Sequence, residues 1–575
     1  MQESHQTRRR RLVSHRQSYV IIFICLFLLL TVPLFFRFPS FHPSNDRQQI
    51  FRAKAGSDDF LQTNEFEDMK LHKEKKPDRS KKKDVETNES KKKKKTTVDV
   101  KEDKAEKKKP KKMNKTLTDL REKDVETIDL KKLKFCSSTR HVHLSLFGEG
   151  GMTISFASGK CGNGRGAIIY GTSRDKMDRI AYADDVRQYR AYHEKHDFYE
   201  SDHHHHVILS DLEPTTEYYY TCVIIPNKAE SGRVLKEKSK DDTIIYSFES
   251  EPRLGEGYGM TMAIFGDVAV RPHSKECMSA LGKETDIDLL LLVGDLAYAE
   301  GVHYVWDEFM DMLDFTHRTP LLVAAGNHDI EANTTTGEMF QAYEARFRMP
   351  HIQPAEMGIF TPEMKQHDKT GDLPYLYGNS FYSFAYGPSH NIVLNSFAPF
   401  APGTIQYKWL EKELIKVDRS VTPWLTVTLH CPLYNTFKNH RNDPQLINAK
   451  IQLEPLFVEH RVNFVFAGHV HSYSRSHPVV FDKVNATGPI HILLGNSGRQ
   501  ANVPFHQENP EEWILVRDHT QYGYGLLNFI NATTAMYEWV VTGFNEGKRD
   551  RKSKFYYPHD EDIIDQGYVQ NQFFL

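Results

Sequence analysis

Seven side chains that could bind metal ions lie at the ends of five short apolar runs of the chain. The runs read TMAIF, LLLLV, LLVAA, LTVTL and FVFA, and each is followed directly by a glycine or a histidine. Carboxylate, phenol, amide and imidazole groups together suit a six-coordinate cation such as iron, manganese or zinc. The sequence therefore predicts a metal site built from Asp267, Asp295, Tyr298, Asn327, His430, His469 and His471.

The elements that must position these side chains are strands of a buried parallel sheet. Unbroken apolar runs of four to eight residues that stop at a glycine are typical of such strands. In an open α/β sheet, ligands bind just beyond the carboxyl ends of the strands, so five strand ends could meet in one crevice. A single Gly-Asp or Gly-Asn pair more often marks a turn or a helix cap. Five signatures in order, each at a strand end, favour a metal cluster.

The donor set favours two ions, one of them strongly Lewis-acidic. Two ions that share one carboxylate would lie about 3.5–4 Å apart and could hold a bridging hydroxide. Ala269, which stands two residues after Asp267, has no donor atom, so the first ion would lack a ligand at this position. Tyr298 can supply that ligand if the cation deprotonates it. Because a free tyrosine has a pKa of about 10, Fe(III) is the cation expected to keep it ionised in acid.

Residues 135–541, about seventy per cent of the chain, resemble the purple acid phosphatases, two-metal phosphoesterases with an N-terminal β-sandwich. The family's blocks GDxG, GDxxY, GNH(D/E), VxxH and GHxH stand here as GDVA, GDLAY, GNHD, VTLH and GHVH. The last glycine of the first block is therefore replaced by Ala269. The resemblance assigns Fe(III) to Asp267, Tyr298 and His471, a divalent zinc, iron or manganese to Asn327, His430 and His469, and the bridge to Asp295.

The resemblance also implies an acid phosphatase that hydrolyses small phosphate monoesters through the bridging hydroxide. Asn327, His328 and His440 would bind the phosphate, one of the two histidines would protonate the leaving alkoxide, and Tyr434 would line the pocket. Many members carry adjacent histidines where this chain has Asn439-His440, so substrate preference stays open. The alternatives are a structural hydrogen bond for His328, a loop position for His440 and a packing role for Tyr434.

Three rival functions are weighed against this one. A two-metal phosphodiesterase would use the same centre and stays open. A Ser/Thr protein phosphatase is disfavoured by Ala269 and Tyr298. A catalytically decayed, membrane-anchored binding protein is disfavoured because every expected ligand position holds a competent residue.

The N-terminal region indicates a membrane protein of the secretory pathway. Residues 19–36 form an apolar run just long enough to span a bilayer, after a basic segment at 1–18 that is expected in the cytosol. No small-x-small cleavage site follows, which favours an uncleaved anchor, and the short span favours the Golgi or another endomembrane. The catalytic part of this single-pass type II protein would be lumenal or extracellular. Glycosylation sequons stand at Asn88, Asn114, Asn333, Asn485 and Asn531.

The rest of the chain divides by composition. Residues 37–134 are rich in lysine and poor in aromatic residues, which predicts a disordered stalk. The alternative is a polyanion-binding or nuclear-targeting patch, and nuclear targeting is disfavoured if the anchor places 91–95 outside the cytosol. No nucleic-acid partner is expected. Short strand candidates at 135–251 predict an all-β, fibronectin- or Ig-like sandwich, in which 203–206 is a structural or surface histidine run. Disulfide pairing and a homodimer stay open. An α/β metallophosphoesterase domain is expected at 257–543, before a polar tail at 544–575. This domain would be a β-sandwich flanked by helices at 302–315, 338–349, 406–417 and 445–460.

Overall fold

The structure is a computed structural model. The predicted anchor and stalk, with the sequons Asn88, Asn114 and Asn333, lie outside the residues that it describes. None of the helices among the described residues is long and apolar enough to cross a membrane. The described residues are 135–161, 164–193, 196–226, 243–331, 339–350, 375, 378–544, 563–571 and 573.

An all-β domain occupies residues 140–249, as the sequence predicts. Its two four-stranded antiparallel sheets have the strand orders β1-β2-β8-β5 and β10-β9-β3-β4, and apolar residues of both sheets share one core. A separate hairpin, β6-β7, extends from it. The strands are β1 Arg140–Leu146, β2 Met152–Ala157, β3 Arg165–Gly171, β4 Arg179–Tyr182, β5 Asp185–Arg187, β6 Arg190–His193, β7 His196–Glu200, β8 His204–Leu209, β9 Glu217–Ile225 and β10 Tyr246–Glu249.

The histidine run of β8 has a structural role. His204, His205 and His206 are all buried. His206 donates from Nε2 to the carbonyl of Ala345 at 3.2 Å and accepts the Ser155 hydroxyl at Nδ1 at 2.8 Å. His205 instead stacks on Phe156. Neighbouring rings therefore face different partners, as the alternation of side chains along a strand requires.

One disulfide is present in the described part of the chain. Cys136 bonds to Cys161 and ties the segment before β1 to the turn after β2. Cys222, Cys277 and Cys431 are buried free thiols. The pairing that the sequence left open is thus settled for two cysteines.

The α/β domain contains two mixed sheets with helices. The six-stranded sheet has the order β13-β12-β11-β23-β24-β25, and the seven-stranded sheet has the order β14-β15-β16-β17-β21-β18-β22. β11, β12 and β13 are parallel, and so are β15, β16, β17 and β21. The strands are β11 Thr261–Phe265, β12 Leu289–Leu292, β13 Leu321–Val323, β14 Tyr382–Tyr386, β15 Ser389–Val393, β16 Trp424–Thr428, β17 Phe464–Ala467, β18 Tyr473–Ser476, β19 Val479–Val480, β20 Lys483–Val484, β21 Ile490–Leu494, β22 Ile514–Asp518, β23 Gln521–Phe529, β24 Thr534–Phe544 and β25 Ile563–Gln570.

The helices follow the predicted pattern with two differences. The helices predicted at 406–417 and 445–460 lie within one residue of the observed bounds. The observed helices near 302–315 and 338–349 are shorter than predicted. The helix that follows β11 was not predicted, because only its inner face is apolar and it begins at a proline. The helices are α1 Pro272–Leu281, α2 Tyr304–Met312, α3 Gln341–Arg346, α4 Ile405–Lys416 and α5 Pro444–Glu459.

The polar tail predicted at 544–575 needs correction. Residues 563–570 form β25, which pairs antiparallel with β24 at the edge of the six-stranded sheet. Asp565 is buried there and accepts hydrogen bonds from Arg475 at 2.7 Å and from the Tyr473 hydroxyl at 2.5 Å. An edge strand bonds mainly through its backbone, so its sequence needs little apolar periodicity and gives a weak signal.

Candidate metal centre

The first donor group joins three separate loops. The hydroxyl of Tyr298 donates to Oδ1 of Asp267 at 2.9 Å, and the hydroxyl oxygen of Tyr298 also lies 2.9 Å from Nε2 of His471. His471 Nε2 is 3.5 Å from Asp267 Oδ1. Three donor atoms therefore surround one point at the ends of β11, β12 and β17.

The second donor group is centred on the side-chain oxygen of Asn327. This Oδ1 lies 3.2 Å from Nε2 of His430 and 2.9 Å from Nδ1 of His469. The other ring nitrogen of His430 donates to the carbonyl of Val293 at 2.9 Å. That bond places one ring proton on Nδ1, so Nε2 is the nitrogen that would bind a metal ion. Burial opposes the charged form of His430, but the nearby Asp295 carboxylate raises the pKa of His430 to about 9, so a metal ion would have to displace the proton on Nε2.

Asp295 belongs to both groups. Its carboxylate is within 4.8 Å of the ligand atoms of Asp267 and His471, and within the same distance of those of His430 and His469. Its Oδ1 also accepts the backbone N–H of His328 at 2.8 Å. The structure thus brings all seven predicted ligands to one site, with Asp295 between the two donor groups.

Glycines permit this close approach of the loops. Gly294 has φ of +99°, and a Cβ at this position would collide with the ring of His430. A Cβ on Gly468 would collide with the carboxylate of Asp267. The glycines before the ligands are therefore required for space as well as for turning the chain.

A buried carboxylate that sequence reasoning did not single out holds two ligand loops together. Asp329 accepts backbone N–H groups of Asp295 at 3.0 Å, of Leu296 at 2.9 Å and of Gly326 at 2.8 Å. Asp295 itself has φ of +53°, which a residue with a side chain adopts only where the surroundings enforce it. The GNHD block already pointed to this residue, because the family pattern has only aspartate or glutamate at the fourth position.

Three family models match the chain. They are the purple acid phosphatase N-terminal domain at 139–238, the calcineurin-like phosphoesterase at 260–473 and the iron/zinc purple acid phosphatase-like protein C at 488–550. Probable purple acid phosphatase 20 of Arabidopsis thaliana is 30% identical over 400 residues, which cover 69% of this chain and 83% of the relative. The chain belongs to the purple acid phosphatase family. It is an acid phosphatase, a phosphomonoesterase of the dinuclear metallophosphoesterase class.

One further relative agrees with this membership, and one solved structure shares the fold. Phosphoenolpyruvate phosphatase of Allium cepa is 29% identical over 398 residues, 65% of this chain and 73% of that protein. The purple acid phosphatase PPD1 from yellow lupin (Lupinus luteus) seeds has the same fold, with a TM-score of 0.56 at 18% identity over 76% of this chain and 74% of its own.

The charges of the phosphatase centre fit cations. Burial, together with the nearby Asp295 carboxylate, raises the pKa of Asp267 to about 7. Burial opposes ionisation of Asp295 too, but His430 holds the pKa of Asp295 well below its usual value. Burial lowers the pKa of His469 to about 4 and that of His471 to about 3, so both rings are neutral and offer lone pairs. Cations would offset the crowded carboxylates and accept these lone pairs.

The two histidines predicted to contact phosphate border the centre, and each is held by a carboxylate. Nδ1 of His328 lies 2.5 Å from Glu300, which raises the pKa of His328 although burial opposes this. Nδ1 of His440 lies 2.8 Å from Asp443, and the His440 ring is 4.0 Å from that of His469. Sequence reasoning missed both carboxylates, since they follow their motifs without belonging to them.

Tyr434 has the contacts of a packing residue, which is the alternative that the sequence left open. Its hydroxyl donates to the buried Glu454 and accepts the backbone N–H of Asp482 at 3.1 Å. Its ring packs against Trp513, with 5.0 Å between ring centroids. These contacts support the packing role, because the hydroxyl is occupied by α5 and the β19–β20 hairpin.

Proposed function

We propose that this enzyme hydrolyses small phosphate monoesters with Fe(III) in the first donor group and a divalent zinc, iron or manganese ion in the second. One observation carries the proposal: the carboxylate of Asp295 belongs to both groups. The phenol of Tyr298 supports Fe(III) in the first group, since only a strong Lewis acid keeps a tyrosine ionised in acid. The group of Asn327, His430 and His469 contains no carboxylate or phenol of its own, which suits a divalent ion.

The bound ions would supply Lewis acidity, both to activate water and to offset the charge of the phosphoryl oxygens. The chain's own residues orient the ester. Nε2 of His328 is 4.0 Å from the shared Asp295, and its partner Glu300 occupies Nδ1, so Nε2 faces the centre. There it would donate to a phosphoryl oxygen.

His440 would donate a proton to the oxygen of the leaving alkoxide. Its Nδ1 is occupied by Asp443, which leaves Nε2 for the substrate. Its ring lies against His469, a member of the second donor group. A general acid must reach the leaving oxygen within hydrogen-bond distance, and this position beside the centre supports that role.

The site of action is proposed from the sequence. An anchor at 19–36 would place the enzyme in a Golgi or other endomembrane with its catalytic domain in the lumen. Asn485 and Asn531 are exposed, and the Oδ1 of each accepts the hydroxyl of the threonine two residues later. Both sequons are thus accessible for glycosylation. Glycosidase treatment of the protein from membranes should increase its gel mobility, and an unchanged mobility together with extraction by salt alone would contradict this placement.

Metal analysis and phosphate release test the proposed chemistry. The detergent-solubilised full-length chain should contain two metal ions, one of them iron, and should release phosphate from p-nitrophenyl phosphate with an acidic optimum. Bis(p-nitrophenyl) phosphate should react more slowly. A single bound ion, or full metal occupancy without hydrolysis of any phosphoester, would overturn the proposal.

A further inference from the structure

The loop after β21 places an arginine beside the metal centre. The backbone N–H of Arg499 donates to the carbonyl of Asp267 at 2.8 Å, which ties this loop to the first ligand loop. Ser497 strengthens the connection, since its hydroxyl accepts the N–H of Gly266 at 3.1 Å and donates to the carbonyl of Gly523 at 2.8 Å. Gly498 leaves no room for a Cβ, because one would collide with Ser274. The base of the Arg499 side chain is therefore firmly positioned.

The guanidinium of Arg499 lies over the ring of Tyr298. Its central carbon is 4.8 Å from the ring centroid. The side chain of His328 contacts the same ring, with 4.3 Å between centroids. Two nitrogen-bearing groups thus adjoin the tyrosine of the first donor group, and one of them is His328, which would bind substrate.

Arg499 is half-buried, yet within the described residues its guanidinium makes no hydrogen bond and no ion pair. Arg475, in contrast, has both ends of its guanidinium on the carboxylate of Asp565. A partly buried guanidinium with unpaired N–H groups is costly unless an anion binds it. Phosphate is the anion that the neighbouring centre must receive.

We infer that Arg499 binds the phosphoryl group of the substrate and selects monoesters over diesters. The inference rests on the proposed function and adds a specificity-determining residue to it. A monoester presents three free phosphoryl oxygens and, above its second pKa of about 6, two negative charges, whereas a diester presents two free oxygens and one charge. The planar fork of an arginine donates two parallel N–H groups to two oxygens, so the monoester gains more from it. The two aspartates and the tyrosine already offset much of the positive charge of the metal ions. An additional fixed cation should therefore strengthen the binding of a doubly charged phosphoryl group.

Three variants of the full-length holoenzyme test the assignment. Arg499→Gln removes the charge, and Arg499→Lys keeps the charge but not the fork. Arg165→Gln is the matched control, because Arg165 lies over the ring of Tyr182 at 3.8 Å in the N-terminal domain. Calorimetric titration with inorganic phosphate measures binding without turnover, and metal content and the visible spectrum report on the centre itself.

The Gln variant should bind phosphate about 10–100-fold more weakly, as the loss of a charge-assisted hydrogen bond predicts. The Lys variant should be intermediate and the Arg165 control unchanged. For Arg499→Gln, kcat/KM for p-nitrophenyl phosphate should fall more than kcat/KM for the bis-ester, with both metals retained.

Unchanged phosphate affinity, or an equal loss of rate for both esters, would overturn the inference. Loss of iron from Arg499→Gln would also overturn it, because the residue would then act only through Tyr298. Should the Gln variant not fold, the phosphate affinity of the Lys variant decides. If the unaltered enzyme hydrolyses neither ester, the proposed function fails, while the phosphate titration still decides the role of Arg499.

Discussion

The phenol oxygen of Tyr298 lies 2.9 Å from Oδ1 of Asp267. Ala269, two residues after Asp267, has no donor atom, so the tyrosine would supply the ligand that this position lacks. The tyrosine reaches the centre from the next strand end, with its backbone at φ of +51°. The colour and the iron affinity of the enzyme should therefore depend on this one side chain.

Replacing Tyr298 by Phe should abolish the visible tyrosinate-to-iron absorption and lower the iron content. The ring remains and the packing is preserved, so the effect isolates the oxygen. Tyr220→Phe is the control, since Tyr220 is also buried but donates to the carbonyl of His317 in another part of the fold. A Tyr298→Phe enzyme with an unchanged spectrum would exclude Tyr298 as a ligand.

Gly294→Ala should displace His430 and deplete the second ion. The new Cβ would meet the His430 ring, and a misplacement of about 1 Å at such a site costs on the order of 100-fold in rate. Gly403→Ala separates collision from backbone strain, because Gly403 has φ of +93° but nothing within 4 Å of its Cβ position. Measurements of bound metal and kcat/KM in both variants check this. Equal losses in the two would show that strain alone is responsible.

Asp329→Asn should destabilise the protein and loosen the second and third ligand loops. An amide keeps one acceptor oxygen but turns an NH2 group toward backbone N–H donors, which costs about 1–3 kcal/mol for each buried donor left unpaired. The unfolding free energy should therefore fall, and activity should fall with it. Asp418→Asn, at an exposed turn, should change neither quantity. A stable, fully active Asp329→Asn enzyme would show that the three hydrogen bonds are not needed.

The sequence predicted the centre better than its surroundings for a physical reason. Each ligand stands at the end of an apolar strand, and parallel strands bring their carboxyl ends together whatever the connections between them. Glu300, Asp443 and Arg499 reach the centre from loops. The path of a loop leaves no periodic pattern in the sequence, so these contacts could not be predicted from it. The sequence left the role of Tyr434 open for the same reason, since Glu454, which accepts the hydrogen bond of its hydroxyl, lies on a helix twenty residues away in sequence.

Acid should weaken the packing of the N-terminal domain through His143. Burial lowers the pKa of His143 from 6.5 to about 4. Between these values the unfolded chain binds the proton and the folded chain does not, so stability falls as the pH falls from 6.5 to about 4, by roughly 3 kcal/mol. Chemical unfolding between pH 4 and pH 7 should show a smaller pH dependence in His143→Gln. An identical pH dependence in the two proteins would contradict the assignment.

Asp443 should govern turnover by orienting two imidazoles at once. Its Oδ2 lies 2.8 Å from Nδ1 of His440 and 3.2 Å from Nε2 of His469. Asp443→Asn keeps the shape of the side chain but removes the charge that favours N–H donation by both rings. Loss of a carboxylate that orients a metal-binding histidine typically costs about 10–100-fold in metal affinity or activity.

A double-mutant cycle separates the two effects of Asp443. If Asp443 acts through His440, kcat in Asp443→Asn/His440→Ala should fall no further than in His440→Ala alone, because coupled residues are non-additive. Asp482→Asn serves as the control, since Asp482 is exposed and paired with Lys450. If the losses in kcat are strictly additive and Asp443→Asn alone releases the divalent metal, Asp443 acts through His469. The tautomer of His440 then does not depend on Asp443.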